Sequence, residues 1–244
     1  GQNLALFEKY KALRDSAEYG RLTPTQRKIV DNEVRDFRLS GAELPEDVKP
    51  RFQAIQEELA GLSAKFSENL LDATNAFAHI VTDAAQLAGL PEDVQEAAQA
   101  AAGKAGEKGW KFTLHAPSYL PVLQYAEHRP LRELMYRAYA TRAAEFPEHG
   151  SKPELDNAPL IARILELKRE EAQLLGYASF AEISLVPKMA ESPAQVLAFL
   201  RDLGTKAKPF AERDMAELRE FAASELGLDT LEAWDFMYAG EKLR

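Results

Sequence analysis

With 244 residues, 46% of them hydrophobic, the chain has enough apolar material for a real core and is not disordered by composition. Its 30 Lys and Arg against 39 Asp and Glu give a net charge of −9, which repels phosphate backbones and argues against a nucleic-acid partner. There is no cysteine and hence no disulfide framework, as suits a reducing cytosol, and no apolar stretch approaches the ~20 residues that span a bilayer. No signal-peptide core opens the chain, so the expected location is the cytoplasm, with no membrane partner. Gly1-Gln2 reads as the start of a fragment.

Helical periodicity runs through almost the whole sequence. Leu4, Phe7, Lys11, Leu13, Arg14 and Ala17 make a first amphipathic segment, expected to stop at Gly20. Thr23-Pro24-Thr25-Gln26 spells a capping box with proline at the first helical position, so a helix starts there, buries Val30, Val34 and Phe37, and ends at a left-handed Gly41. Val48, Phe52, Ile55, Leu59, Leu62, Phe66, Leu70, Ala73 and Phe77 recur at steps of four and three, the spacing of a long helix packed along one seam.

The runs His79-Ile80-Val81-Thr82 and Trp110-Lys111-Phe112-Thr113-Leu114 are β-branched and aromatic, and predict a small two-stranded element. A helix from Pro91 lies between them and fades into a flexible connector at Gly103, Gly106 and Gly109. Pro117 to Glu127 and Pro130 to Ala144 predict two more helices, the second with Leu131, Leu134, Met135 and Ala138 on its buried face. Residues 146–153, with Pro147, Gly150 and Pro153, are the best linker.

Asp156-Asn157 caps a helix through Leu160, Ile161, Ile164, Leu165 and Ala172 that stops at Gly176. Ser179 to Glu182 and Ser192 to Gln195 are further capping boxes. The helix after Ser192 carries Val196, Leu200, Leu203, Ala207, Phe210, Met215, Leu218 and Ala222 in register. Pro209 is expected to kink it and Gly227 to end it. A last helix is expected from Thr230 through Trp234 and Tyr238.

Residues that carry chemistry are scarce. The histidines, His79, His115, His128 and His149, are too far apart in sequence for any two to share a helical turn. Pro147 breaks the helix that would align Glu145, Glu148 and His149, so that stretch reads as a solvated loop. The glycines from Gly103 to Gly109 follow a helix and precede a strand, the reverse of a phosphate-binding loop. Glu57-Glu58 and Glu170-Glu171 read as solvated helix faces, because adjacent helical residues diverge by about 100°. Tyr119, Tyr125, Tyr136 and Tyr139 read as packing residues. No residue stands out as catalytic, cofactor-binding or metal-ligating.

Several runs together carry a family signal: Arg35-Asp36-Phe37-Arg38-Leu39-Ser40-Gly41, Leu71-Asp72-Ala73-Thr74, Tyr136 to Ala143, Leu167 to Tyr177, Lys188-Met189-Ala190 and Trp234-Asp235. In combination they make the chain resemble the zinc oligopeptidases of the thimet oligopeptidase and oligopeptidase A family. It departs from them at Tyr238-Ala239, where members carry two tyrosines after Trp-Asp. The resemblance implies a soluble enzyme that hydrolyses short peptides in a deep helical channel, with Zn²⁺ held by His-Glu-x-x-His. That motif does not occur here. The resemblance therefore implies an amino-terminal portion, its zinc ligands and catalytic glutamate lying in a missing carboxy-terminal half, and an inactive chain as it stands.

The expected fold is all-α, a multi-helix domain with long antiparallel helices and at most one small two-stranded β element. Residues 1–145 would form the amino-terminal helical region and residues 146–244 the opening part of the peptidase region. The expected partners are short peptides in the intact enzyme and the missing half. Trp234, Phe236 and Tyr238 are expected to lose their cover and to drive self-association. The alternative is a stand-alone helical scaffold that binds a peptide or protein without chemistry.

Overall fold

The computed structural model describes residues 3–244, so the reading of Gly1-Gln2 lies outside the described residues. Among these, ten α-helices occur in chain order: α1 (Leu4–Arg14), α2 (Pro24–Leu39), α3 (Lys49–Ala76), α4 (Glu92–Lys104), α5 (Ala116–Tyr125), α6 (Arg129–Ala140), α7 (Ala158–Leu174), α8 (Phe180–Leu185), α9 (Pro193–Glu225) and α10 (Phe236–Leu243). Between α3 and α5 lie β1 (His79–Val81) and β2 (Trp110–Phe112), paired antiparallel with Ile80 opposite Lys111. The fold is mostly all-α.

The chain forms two compact units. The first combines the residues up to Ser63 with Ile161–Leu203; the second combines Ala64–Leu160 with Gly204–Arg244. In the first unit, both halves of the predicted capping box form. The Gln26 amide donates to Thr23 Oγ1 at 3.3 Å, and the Thr23 amide donates to Gln26 Oε1 at 3.0 Å. Val30, Val34 and Phe37 are buried, the Phe7 and Phe37 rings lie 5.4 Å apart, and Gly41 adopts the left-handed conformation. Helix α1 ends at Arg14, earlier than expected. The Ser16 hydroxyl donates to the Leu13 carbonyl and accepts from the Glu18 amide, local bonds that compete with helix propagation.

The core of the second unit gathers Val81 and Phe112 from the sheet, Leu87, Leu90 and Ala98 around α4, and Tyr119, Val122, Leu131 and Met135 from α5 and α6. Gly109 is not part of a flexible connector. It takes φ +102° in a defined turn, where an added Cβ would sit 2.2 Å from the Val81 carbonyl oxygen, so only glycine lets β2 approach β1 this closely. Helix α6 ends at Ala140 and buries Leu131, Arg132, Met135 and Ala138, while Leu134 is exposed. A charged residue thus holds the place given to Leu134 in the sequence reading.

Three further expectations are corrected. The four-three row of α3 is not one buried seam: Phe52 and Ile55 are buried, but Leu70 is exposed and Asn69 and Thr74 are buried instead. A straight helix drifts ~20° per heptad against such a row, and Asn69 Nδ2 donates to Asn157 Oδ1 at 2.9 Å, which makes its burial tolerable. The last helix begins at Phe236, not Thr230; Trp234 and Tyr238 are buried within the second unit and Phe236 is exposed. Helix α9 runs unbroken through Pro209, but its apolar row is largely bare.

Candidate functional site

Among the described residues, a buried polar arrangement surrounds Asp235, in the turn that leads into α10. Its carboxylate is fully buried and accepts from Arg132 Nη2 at 2.7 Å, Arg129 Nη2 at 2.6 Å, Arg129 Nε at 3.1 Å and the Glu232 amide at 3.0 Å. Arg132 is itself 1% exposed, and its Nη1 donates to the Ala126 carbonyl at 2.7 Å. The Arg132 guanidinium lies 4.1 Å from the Tyr238 ring centroid and that of Arg137 lies 4.7 Å from the Trp234 ring centroid. Burial pushes the Asp235 carboxyl up, but the hydrogen bonds from Arg129, Arg132 and Glu232 outweigh it and hold the group below its ordinary value. An ionised carboxylate with its acceptor positions filled neither donates nor takes a proton near neutrality. The cluster fastens α10 to α6; it is not acid–base machinery.

In the first unit, the carboxylates set aside as solvated are paired. Arg163 Nε donates to Glu58 Oε1 at 2.6 Å, Arg51 Nε to Glu170 Oε1 at 2.6 Å, and Gln56 Nε2 to Glu171 Oε1 at 2.8 Å. Glu171 is buried, contrary to the sequence reading. The bond from Arg163 holds Glu58 below its ordinary value, and that from Arg51 does the same for Glu170. Neither Glu58 nor Glu170 is poised as a general acid.

The donor set for a metal is equally plain. Among the described residues, no three His, Cys, Asp or Glu side chains are grouped so as to hold an ion. His115 and His128 stand at the N-caps of α5 and α6, His79 lies in β1, and His149 lies in the 3-10 turn Pro147–His149. These described residues do not fit the zinc that the family resemblance implies.

What remains are surfaces. A cleft of about 440 Å³ in the first unit is lined by Tyr177, Leu185, Lys188, Met189 and Pro193, and so contains the Lys188-Met189-Ala190 run. The Met189 side chain is fully exposed, and Lys188 Nζ donates to Ser184 Oγ at 2.8 Å. A smaller apolar cleft of about 150 Å³ lies in the second unit between α4 and β2, beside Val94, Ala98 and Phe112. Both have apolar walls, and the larger one also carries Glu182, Glu191 and Ser192 beside Lys188. The sequence reading missed the Asp235 cluster, for which the one local signal was an arginine beside an apolar row at Leu131, Met135 and Ala138.

The family models agree with these runs of sequence. The model described as Peptidase family M3 matches residues 122–244, and that of the Neurolysin/Thimet oligopeptidase N-terminal domain matches residues 1–49. The chain is 46% identical to oligopeptidase A of Escherichia coli and 45% identical to that of Salmonella typhimurium, in each case over 242 residues, 99% of this chain and 35% of the relative. It is 38% identical over 255 residues to a probable cytosolic oligopeptidase A of Arabidopsis thaliana, again covering 35% of that protein. The chain thus spans about a third of the length of these relatives, and it belongs to peptidase family M3.

Proposed function

We propose that this chain is the amino-terminal portion of a cytoplasmic zinc oligopeptidase that hydrolyses short peptides, and that it shapes the helical wall of the substrate channel without supplying the catalytic centre. The observation that carries this reading is 45% identity over 99% of the chain to a protein named oligopeptidase A, from a chain that covers only 35% of that relative. We further propose the division into an amino-terminal helical region at 1–145 and the opening of the peptidase region at 146–244.

In this reading the intact enzyme supplies Zn²⁺ and a general base from polypeptide outside the present sequence. The chain contributes helices, among them α6 and α10 fastened through Asp235, and the mixed polar and apolar cleft at Met189 that a peptide side chain can enter. The test is to assay the purified 244-residue chain with a quenched fluorescent peptide and to measure its metal content after dialysis, beside the product of any longer reading frame that encodes His-Glu-x-x-His. Cleavage by the longer product alone is expected. Stoichiometric zinc and cleavage by the short chain would overturn the reading, and absence of a longer frame would favour a stand-alone helical scaffold.

A further inference from the structure

The larger cleft lies where the chain passes from α8 into α9, wholly within the first unit. Its volume of about 440 Å³ falls in the range of small-ligand sites, about 300 to 1,000 Å³. Leu185, Val186 and Met189 give it apolar walls, and Met189 is fully exposed there. Glu182, Lys188 and Glu191 bring its charge, two carboxylates against one ammonium.

These charged groups are unequally engaged. Lys188 Nζ donates to Ser184 Oγ at 2.8 Å, and Glu182 Oε2 accepts from the Ala178 amide at 3.0 Å. The Glu191 carboxylate, by contrast, accepts no hydrogen bond and pairs with no cation among the described residues. The start of α9 does not engage it either, because the cap there closes on its own side chains. Ser192 Oγ accepts from the Gln195 amide at 3.1 Å, and Gln195 Oε1 accepts from the Glu191 amide at 2.7 Å.

This combination selects a ligand. An anion meets the excess of negative charge. A neutral apolar group would cover the walls and leave Glu191 desolvated without a partner. A cationic side chain with an aliphatic stem satisfies both parts, its methylenes on the walls and its charge at the carboxylate. Arginine does this better than lysine. Its planar guanidinium is less strongly hydrated than an ammonium, donates in a fork that matches a carboxylate, and stacks on aromatic residues, of which Tyr177 is one in the lining.

We infer that this cleft binds an arginine side chain of a peptide, with the guanidinium at Glu191 and the stem along Leu185 and Met189. The inference deepens the proposed function and rests on it for the peptide that carries the arginine. Binding is read on the 244-residue chain without any cleavage, so its failure and that of the oligopeptidase reading are separate results.

The probe is Ala-Ala-Arg-Ala-Ala, blocked with fluorescein at its amino end and amidated at its carboxy end, titrated with the chain at low salt and followed by anisotropy. Saturable binding is expected. Replacing the arginine by citrulline, or Glu191→Gln in the chain, should each weaken it by about tenfold, as for loss of one charge-assisted hydrogen bond. The lysine peptide should bind severalfold more weakly. Glu92→Gln, exposed on α4, changes the net charge equally and should bind as wild type does. Glu191 is exposed too, so neither substitution should alter the helical dichroism. The methionines report the place of binding: Met135, Met215 and Met237 belong to the second unit, so in a methyl-labelled sample the arginine peptide should shift the Met189 resonance alone. Absence of saturable binding at sub-millimolar chain would overturn the inference. So would equal affinity for the arginine peptide and either the citrulline or the lysine peptide, equal weakening by Glu191→Gln and Glu92→Gln, or a shift at another methionine in place of Met189.

Discussion

Arg132 Nη2 lies 2.7 Å from Asp235 Oδ1, and neither side chain is more than 1% exposed. Two charges removed from water in this way are tolerable only together: loss of one partner leaves the other desolvated and unpaired, at a cost of about 3 to 5 kcal/mol. Asp235→Asn and Arg132→Met should each destabilise the second unit by that order. Arg129→Ala, whose guanidinium is 40% exposed, should cost only about 1 kcal/mol after solvent screening. Urea unfolding followed by tryptophan fluorescence reads this directly, because Trp110 and Trp234 both belong to that unit. Leucine at 132 and 235 together should cost less than the sum of the single changes, since no orphaned charge remains.

The same contact sets an acid limit. The folded carboxyl of Asp235 titrates below the unfolded value of about 3.9, so its contribution is fully present above that pH and is lost as pH falls through the lower, folded value. Protection of the α10 amides from hydrogen exchange, taken relative to the intrinsic rate at each pH, should be unchanged from neutrality to about pH 5 and fall below about pH 4. Asp235→Asn should remove this pH dependence while leaving exchange fast throughout. An acid transition in α10 of undiminished size in that variant would place its cause elsewhere.

Gly89 offers a test of backbone geometry. It adopts φ +84°, and a Cβ there would lie 2.2 Å from the Tyr125 carbonyl oxygen, in a turn that the Glu127 amide pins by donating to the Ala88 carbonyl at 2.8 Å. Gly89→Ala should therefore cost at least about 2 kcal/mol, combining strain with displaced backbone. Gly61→Ala is the control. It sits inside α3 with no atom within 4 Å of the added methyl, and should stabilise by about 0.5 to 1 kcal/mol through the unfolded chain. Thermal unfolding by dichroism separates the two outcomes.

What could be read beforehand was local. The Thr23 and Gln26 reciprocal bonds, the Ser179 and Ser192 caps and the existence of two short strands around Ile80 and Phe112 each involve chemistry legible within a few residues or a strand pattern, though the register of the strands was not. The choice between Leu134 and Arg132 for the inner face of α6 was not legible. Its arbiter, Asp235, is 103 residues away, and an apolar row cannot announce a buried charge whose partner is unknown. Burial of Glu171 likewise depends on Gln56, 115 residues distant. On α9 the row itself was read correctly, but periodicity tells only which side of a helix is apolar. Whether Leu200 and Leu203 are covered is a tertiary fact, and in this chain they are not.

Tyr119 carries the last prediction. Its ring is buried and stacks on that of Tyr139 at 4.1 Å between centroids and 12° between planes, while the Arg142 guanidinium lies 3.6 Å from the Tyr139 centroid. Burial, with smaller contributions from the neighbouring phenols of Tyr139 and Tyr136, pushes the Tyr119 hydroxyl up to about 12 against the opposing pull of Arg142. The neutral phenol is thus favoured by the fold: its contribution is fully present below the unfolded value of about 10 and is lost as pH rises through the folded one. In a spectrophotometric alkaline titration Tyr119 should ionise among the last of the eight tyrosines, and its ionisation should coincide with loss of the near-ultraviolet dichroism of the second unit. Tyr119→Phe keeps the stack and removes the titrating group. It should delete that late step from the absorbance curve and move the alkaline loss of dichroism to higher pH, whereas a retained late step, with the missing amplitude taken from the early phase, would show that Tyr119 ionises with the exposed phenols.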